Sequence, residues 1–262
     1  MKTMKTKIIL SLAAVGLMGN MAFADLLVDR GLPTANLNNA AGPAGADRSN
    51  VSWAFTEYTS PDYWVVGDTF KNNSSQTWNI NQITLWTVGQ TDTAILRGGI
   101  DGSSIGIVST AASISDATYA GGITYQGSSG EFGSTMHQID FTVNILLGAG
   151  QTYDFFLDGT GNSELDFQGN PIVVPYVHAS NAALSGSPQD GADGTMLFAE
   201  VIDGSIPDGY VGSWTSLGDG WDKASDVNVD VYGSSVPDGG MTITLLGGAL
   251  MSLAALRRKL FC

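Results

Sequence analysis

Residues 138–145 read Gln-Ile-Asp-Phe-Thr-Val-Asn-Ile, an unbroken alternation of polar and apolar side chains. In an extended chain successive side chains point to opposite faces, so the four apolar residues of this stretch would share one face. The residues between them are polar or charged, which suits a face exposed to water. The stretch therefore predicts a β-strand that is buried on one side and solvated on the other.

The same period of two recurs on both sides of this strand. It appears at residues 80–88, at 152–157 and, in its strictest form, at 226–232. Weaker strand candidates are residues 52–58, 63–70, 94–100, 104–109, 122–126, 172–178 and 196–201. No segment keeps a helical period over a dozen residues, and small polar residues interrupt the chain at short intervals. About ten short strands at this spacing predict an all-β chain, folded as a single β-sandwich of the jelly-roll type over residues 25–232.

The first 24 residues have the charge order of a secretory signal peptide. Three lysines precede an apolar stretch at residues 8–18, and small residues then stand at Ala22 and Ala24, the two positions that a signal peptidase reads. We expect cleavage after Ala24, with Asp25 as the first residue of the mature chain. An uncleaved N-terminal anchor is the alternative, but the apolar stretch is shorter than the roughly 20 residues needed to span a bilayer.

Residues 233–262 combine several features in one order. A Gly-Ser-Ser spacer at 233–235 precedes Val236-Pro237-Asp238-Gly239-Gly240, an uncharged stretch covers 241–256, and the basic residues Arg257, Arg258 and Lys259 follow. As a helix, residues 241–256 would be about 24 Å long, just short of the ~30 Å hydrocarbon core of a bilayer. Cations behind such a helix stay in the cytoplasm. The order predicts a transmembrane helix at 241–256 and a basic cytoplasmic tail at 257–262.

This arrangement resembles the PEP-CTERM sorting signals of Gram-negative bacteria, in the variant that begins Val-Pro-Asp-Ser-Gly or Val-Pro-Asp-Gly-Gly. The resemblance implies recognition of residues 236–240 by an exosortase, a membrane cysteine protease that cuts near the motif and passes the protein to the cell surface. Lys259 stands where the family has a third Arg, and residues 260–262 extend beyond the cluster. A plain tail anchor is the alternative, although it leaves the motif unexplained.

A weaker resemblance concerns the body, residues 25–235. Many exported proteins with this sorting signal have segments similar to residues 66–70, Val-Gly-Asp-Thr-Phe, and 78–83, Trp-Asn-Ile-Asn-Gln-Ile. This likeness supports a β-sandwich and implies no particular activity.

The charge of the mature chain argues against one class of partner. Only five of the 11 Lys and Arg residues lie between residues 25 and 240, whereas all 25 Asp and Glu residues do, so this segment carries a formal charge of −20. Such a field repels nucleic-acid phosphates and anionic lipid head groups, and we expect no nucleic-acid partner. The only cysteine is Cys262, so the body has no disulfide and no cysteine nucleophile.

One Gly-rich loop places four oxygen-bearing side chains close together in the sequence. They are Asp158, Asn162, Glu164 and Asp166. Hard cations bind such oxygens at flexible turns, so the loop is a candidate calcium site, although the Asp-x-Asp-x-Asp-Gly order of an EF-hand is missing. Residues 189–194 form a second acidic turn. The alternative is that both are solvated hairpin loops, and no cofactor other than calcium is indicated.

Aromatic residues offer another lead. The chain has six Trp and eight Tyr residues, a content typical of carbohydrate-binding modules, in which rings stack on sugars. Trp78 and Trp86 lie in predicted strands and are expected in the core. Two of the other four, Trp214 and Trp221, share the Gly-rich segment 209–222, which predicts an exposed aromatic loop able to contact exopolysaccharide.

No residue set in the body predicts catalysis. His137 and His178 are about 40 residues apart and lack the spacing of a metal pair. Two carboxylates for glycoside hydrolysis need only be about 5 to 9.5 Å apart in the fold, which spacing alone does not reveal. The sequence thus predicts a non-enzymatic, structural or adhesive protein of the cell surface or extracellular matrix. A carbohydrate-binding module and a secreted glycan-active enzyme are the alternatives.

Overall fold

The computed structural model describes residues 24–32, 49–54, 62–88, 91–117, 136–160, 164–165, 171–172, 176–181, 188–214 and 224–236. These residues form fifteen β-strands and no helix, which confirms the prediction of an all-β chain. Accordingly, this part of the chain offers no helix that is long and apolar enough to cross a membrane. The helices predicted in residues 1–24 and at 241–256 lie outside it.

The fifteen strands are numbered in chain order. Their bounds are β1 Asp25–Arg30, β2 Ser49–Ala54, β3 Asp62–Lys71, β4 Thr77–Val88, β5 Thr93–Ile100, β6 Ser103–Ala117, β7 Met136–Leu147, β8 Thr152–Thr160, β9 Glu164–Leu165, β10 Pro171–Ile172, β11 Tyr176–Asn181, β12 Met196–Ile202, β13 Val211–Trp214, β14 Ser225–Val227 and β15 Val229–Val236.

Thirteen strands belong to one antiparallel network, with the main order β1-β15-β4-β7-β6-β5-β8-β3-β12-β13. β11 joins it by pairing with β2, β4 and β14, and β9 pairs separately with β10. β6 connects two parts of the network, because residues 103–110 pair with β5 and residues 111–117 pair with β7. We call β1, β15, β4 and β7 the β4 half, and β5, β8, β3, β12 and β13 the β3 half.

The alternation at residues 138–145 is confirmed within β7. All four of its apolar residues are buried: Ile139, Phe141, Val143 and Ile145. Asp140 lies on the opposite face, where its Oδ1 accepts a hydrogen bond from Thr84 Oγ1 of β4 at 2.7 Å. The period of two therefore sorts this strand into an apolar face and a polar face, as the pleat requires.

The main core takes side chains from both halves. Ile83 and Phe141 of the β4 half lie in the same cluster as Leu96 and Phe155 of the β3 half. A smaller cluster on the β3 half consists of Val65, Phe156, Ala199, Val201 and Ile206. Because Phe155 and Phe156 are neighbours on β8 and enter different clusters, β8 is buried on both faces. Each fully buried large apolar side chain contributes roughly 1.5–3 kcal/mol.

The strand predicted at residues 226–232 is two strands in the structure, β14 and β15. Asn228 lies between them, and its side-chain amide donates to the carbonyl oxygens of Arg30 and Gly31 at 2.9 and 2.8 Å. Its backbone amide donates to the carbonyl oxygen of His178 at 3.1 Å. The break is thus held by hydrogen bonds to β1 and β11 that a local sequence pattern does not reveal.

β15 also runs beyond its predicted end. Residues 233–235, predicted as a spacer, pair with residues 78–80 of β4 and belong to the strand. Glycine at 233 serves close packing, because a Cβ at Gly233 would overlap the carbonyl oxygen of Asn79. The strand ends at Val236, the first residue of the predicted sorting motif.

Candidate functional site

The two predicted processing points lie at the ends of paired strands. Ala24 is exposed, Asp25 begins β1, and Val236 ends β15. Asp25 stands opposite Gly233 in antiparallel register, so β1 begins at the end of the sheet where β15 finishes. The other predicted processing residues lie outside the described residues: Ala22, Pro237, Asp238, Gly239, Gly240, Arg257, Arg258 and Lys259.

A buried ionic network links the first and last strands of the body. Arg30 of β1 is only 2% exposed, and its Nη1 donates to Asp68 Oδ2 and Asp226 Oδ1, both at 3.4 Å. Its Nη2 donates to the carbonyl oxygen of Thr69. Removing a charge from water costs several kcal/mol, so such a network is tolerated only where each charge is paired and hydrogen-bonded.

Asp68 is fully buried and belongs to the segment 66–70. Its carboxylate accepts hydrogen bonds from the backbone amides of Val227 at 2.7 Å and Thr69 at 2.6 Å. Burial raises the pKa of Asp68 to about 7, although the Arg30 charge and these amides oppose the rise. The aspartate of this segment therefore has a structural role, which ties β3 to β1 and β14.

The acidic turn at residues 189–194 packs against the same network. The backbone amides of Asp193 and Gly194 each donate to Asp226 at 2.9 Å. Asp190 N donates to Asp29 O at 3.0 Å, and Asp29 N donates to Asp190 Oδ2 at 3.1 Å. The turn thus covers the outer edge of β1, the strand at one margin of the network.

The two histidines of the body lie on different strands. His178 Nδ1 lies 2.7 Å from Asn228 Oδ1, which also accepts a hydrogen bond from Ser180. Burial lowers the pKa of His178 to about 4, so its ring is neutral near pH 7 and acts as a hydrogen-bonding group. His137 of β7 lies 3.5 Å from the exposed carboxylate of Asp116. The fold does not bring the two rings together.

The candidate calcium loop begins with a carboxylate that is already paired. Asp158 is 4% exposed, and its Oδ2 accepts hydrogen bonds from Arg97 Nε at 2.8 Å and from the Tyr63 hydroxyl at 2.7 Å. Arg97 Nη1 also donates to the carbonyl oxygen of Gly204 at 2.9 Å. The described residues contain no group of three potential metal ligands. Of the other predicted ligands, Asn162 and Asp166 lie outside the description and Glu164 is described only as part of β9, so calcium binding stays a prediction.

The exposed aromatic surface lies on the β3 half. Trp64 is 44% exposed, and its ring centroid is 5.4 Å from that of Phe198 on β12. Glu200 stands opposite Trp64 in the register of β12 and β3. Gly212 of β13 leaves room for the Phe198 ring, which a Cβ at that position would overlap. Sequence reasoning missed Phe198 and Glu200, because their proximity to Trp64 depends on strand pairing.

The two predicted glycan-stacking residues are Trp214 and Trp221. Trp214 ends β13 opposite Met196, and Trp221 lies outside the described residues. Their role in sugar binding therefore stays a prediction.

A polar row crosses the face of the β4 half that points away from the main core. Strand register aligns Asp29, Asp230, Thr84, Asp140 and Ser113 across five strands. Burial raises the pKa of Asp230 to about 6, and the neighbouring charge of Asp29 adds to the rise, while a hydrogen bond from the Tyr232 hydroxyl opposes it. The Asp140 carboxylate accepts more hydrogen bonds than that of Asp230, because both Thr84 and Ser113 donate to it.

Residues 102–106, Gly-Ser-Ser-Ile-Gly, match the Gly-x-Ser-x-Gly pattern of nucleophile elbows, a match that a reading for strands passes over. In such an elbow the serine lies on a turn from a strand into a helix. Here the pattern begins in the turn between β5 and β6 and continues into β6, Ser104 has a φ of 54°, and Ser103 Oγ donates to the carbonyl oxygen of Ile100 at 2.7 Å. Because a strand follows the turn, the pattern marks a tight hairpin.

Comparisons with protein-family models, curated proteins and solved structures found no match to this chain.

Proposed function

We propose that the chain is exported, held in the membrane by residues 241–256 and sorted by a protease that recognises residues 236–240. In this proposal the body is a non-enzymatic protein of the cell surface or extracellular matrix, with a structural or adhesive role. The main support is the register of β1 and β15, in which Asp25 stands opposite Gly233. Both predicted membrane segments would then leave the body at one end, as they must if both cross the same membrane from the same side.

The end of β15 bears on how the body lies relative to the membrane. β15 ends at Val236 and the predicted span begins at Met241, so only residues 237–240 join them. Four extended residues reach at most about 14 Å. We infer that the body lies against the membrane until the protease cuts, and that a cut after Val236 leaves β15 intact.

The finer fold proposal is a sandwich in which the β4 half and the β3 half face each other. Its support is the main core, to which both halves contribute apolar side chains, and the strand β6, which pairs with one half and then the other. A strand that passes from one layer to the next is a usual way to connect packed sheets.

The chain contains a matched control for its own sorting motif. Residues 205–209 read Ser-Ile-Pro-Asp-Gly, and residues 235–239 read Ser-Val-Pro-Asp-Gly. The first copy lies in the folded body between β12 and β13, where Ile206 is only 6% exposed and Tyr210 N donates to Pro207 O at 3.2 Å. A protease that needs an extended substrate should ignore it.

The decisive experiment replaces Pro237 and Asp238 with Ala and follows the protein in a host that has the sorting protease. We expect the variant to stay uncut in the inner membrane, because the apolar span and its basic stop remain. The control replaces Pro207 and Asp208 with Ala and should be processed like wild type. Fractionation with an antibody against the body gives the answer. Normal maturation of the Pro237/Asp238 variant would mean that the tail is only an anchor.

The signal peptide has a separate test. N-terminal sequencing of the protein recovered from its host should start at Asp25, the first residue of β1. Recovery of Met1, or of a start many residues away from Asp25, would contradict cleavage at this site.

A second candidate function is the binding of a neutral polysaccharide, which the exposed Trp64 and its neighbours favour. The indole offers a flat apolar face to sugar C–H groups, and Glu200 can accept hydrogen bonds from sugar hydroxyls. The charge of −20 on residues 25–240 repels an acidic polysaccharide, so it favours an uncharged glycan as the ligand.

This candidate is tested by affinity electrophoresis through gels that contain neutral polysaccharides. We expect retardation of the wild-type protein and its loss in Trp64→Ala, whereas Tyr210→Ala removes a ring of similar exposure, 47%, and should have no effect. Circular dichroism checks that both variants fold. Equal migration of wild type and Trp64→Ala in every gel would refute the assignment.

A further inference from the structure

β6 has two properties that distinguish it as a surface strand. It is the longest described strand, and none of its 15 residues is buried. Residues 103–115 carry no charge, although residues 25–240 together carry −20. Ile107, in the first part of the strand, is 60% exposed. A long, exposed and uncharged strand is the kind of segment that pairs readily with another strand.

One edge of the first part of β6 has no partner strand among the described residues. Residues 103–110 pair with β5 on one side, whereas β7 pairs with β6 only from Ala111 onward. Ser109 Oγ donates to the carbonyl oxygen of Thr142 on β7 at 2.8 Å, so β6 and β7 are still close at Ser109. They separate on the N-terminal side of Ser109. We call residues 103–108 the open edge.

The fold protects another margin of the same network. Asp190 engages both the N–H and the C=O of Asp29 on β1, and so covers that edge. Natural proteins also protect edges with lysine, proline or very short strands. The open edge reads Ser-Ser-Ile-Gly-Ile-Val and contains no lysine or proline, although two register shifts interrupt its pairing with β5.

We propose that the open edge is a self-association surface, on which a second copy of this chain adds its own open edge as an antiparallel strand, in the register that places Ile107 beside Ile107 of the second copy. A two-fold axis brings identical segments together, so an uncharged segment meets an uncharged segment although each chain is strongly acidic. Ile105 already packs against the smaller cluster of the β3 half, and Ile107 follows it at the strand period. The pairing therefore continues this apolar surface across the interface.

The dimer joins the β3 halves of two chains into one continuous sheet. It goes beyond the proposed function, since it requires neither export nor the sorting protease. It would give a structural or adhesive protein a way to assemble.

A cross-linking experiment on the full chain tests the contact directly. In a Cys262→Ser background, Ile107→Cys should form a disulfide-linked dimer rapidly under mild oxidation, because the two-fold axis places both copies of residue 107 close together. Leu146→Cys is the matched control, since Leu146 is 61% exposed but lies on β7, outside the open edge. Absence of the dimer, or equally fast linkage at both positions, overturns the proposal.

A mass measurement removes any dependence on introduced thiols. Sedimentation of the full chain in detergent should give twice the protein mass of one 27.3 kDa chain, and Ile107→Lys should halve it, because each interface then buries two like charges. Leu146→Lys should keep the dimer. Added salt should strengthen the wild-type dimer, since it screens the repulsion between acidic chains. A monomeric wild type, or an Ile107→Lys variant of unchanged mass, contradicts self-association through this edge.

Discussion

Arg30 Nη1 lies 3.4 Å from Asp68 Oδ2, and the two side chains are 2% and 1% exposed. The contact joins the first strand of the body to β3, and Arg30 extends it to Asp226 of β14. Two buried carboxylates share one guanidinium, so removing Arg30 would leave both of them without a cation.

Replacing Arg30 with Met should therefore destabilise the protein strongly. The change leaves Asp68 and Asp226 buried without a cation, and loss of one partner from a buried pair typically costs about 3–5 kcal/mol. Urea unfolding measures the effect. Lys71→Met removes an exposed cation from the end of β3 and should change the free energy of unfolding by no more than about 0.5 kcal/mol. Similar losses for the two variants would show that the buried network has no special weight.

Gly67 lies on β3 against β8, and a Cβ there would overlap the carbonyl oxygen of Phe155. We expect Gly67→Ala to lower the free energy of unfolding by about 1–3 kcal/mol, the usual cost of overpacking. Gly106→Ala on β6 is the control, because its nearest atom would be 3.9 Å away. Thermal unfolding of both variants compares them, and an unaffected Gly67→Ala would mean that the strands can separate at little cost.

His178 should make the protein less stable in mild acid. Its pKa is about 4 in the fold because of burial, below the value of about 6.5 expected when unfolded, so between these values the unfolded chain takes up a proton that the folded chain refuses. The stability contributed by the neutral ring is lost as the pH falls from about 6.5 to 4, by on the order of 3 kcal/mol. Unfolding measured over this range should be flatter in His178→Gln. An unchanged slope would show that the ring is already protonated in the fold.

Asp230 should have the opposite pH dependence. Burial and the charge of Asp29 raise its pKa to about 6, so the folded chain holds a proton that the unfolded chain releases near pH 4. Its contribution is present in full below about pH 4 and is lost as the pH rises through about 6. Asp230→Asn should gain stability relative to wild type across this interval, whereas the exposed Asp208→Asn should not. A constant difference between Asp230→Asn and wild type would contradict the shifted pKa.

Local sequence patterns predicted a strand correctly where the strand buries one face and exposes the other. The period of two at residues 138–145 identifies β7 correctly, because the alternation of side chains is a property of a single extended segment. The same pattern was wrong about the strand predicted at residues 226–232, because hydrogen bonds of Asn228 interrupt it and pairing with β4 extends it to Val236.

Two copies of nearly one pentapeptide show the limit of motif reading. Residues 205–209 and 235–239 differ only at Ile206 and Val236, yet Ile206 packs in the smaller core cluster and Val236 is 40% exposed at the end of the last strand. By sequence alone the two segments are equivalent motifs. Their surroundings differ only in the folded chain, which buries Ile206 and leaves Val236 exposed.

Residue order alone established the all-β class, the strong negative charge and the absence of cysteine from the body, because these depend on local periodicity and on counting. The neighbours of each strand depended on the folded chain. Arg30 meets Asp68 and Asp25 stands opposite Gly233 only because β1 pairs with β15 beside β3 and β14. An alternating pattern states which face of a strand is buried, but many pairings bury the same face. The choice among them rests on long-range packing and on the pairing of buried charges.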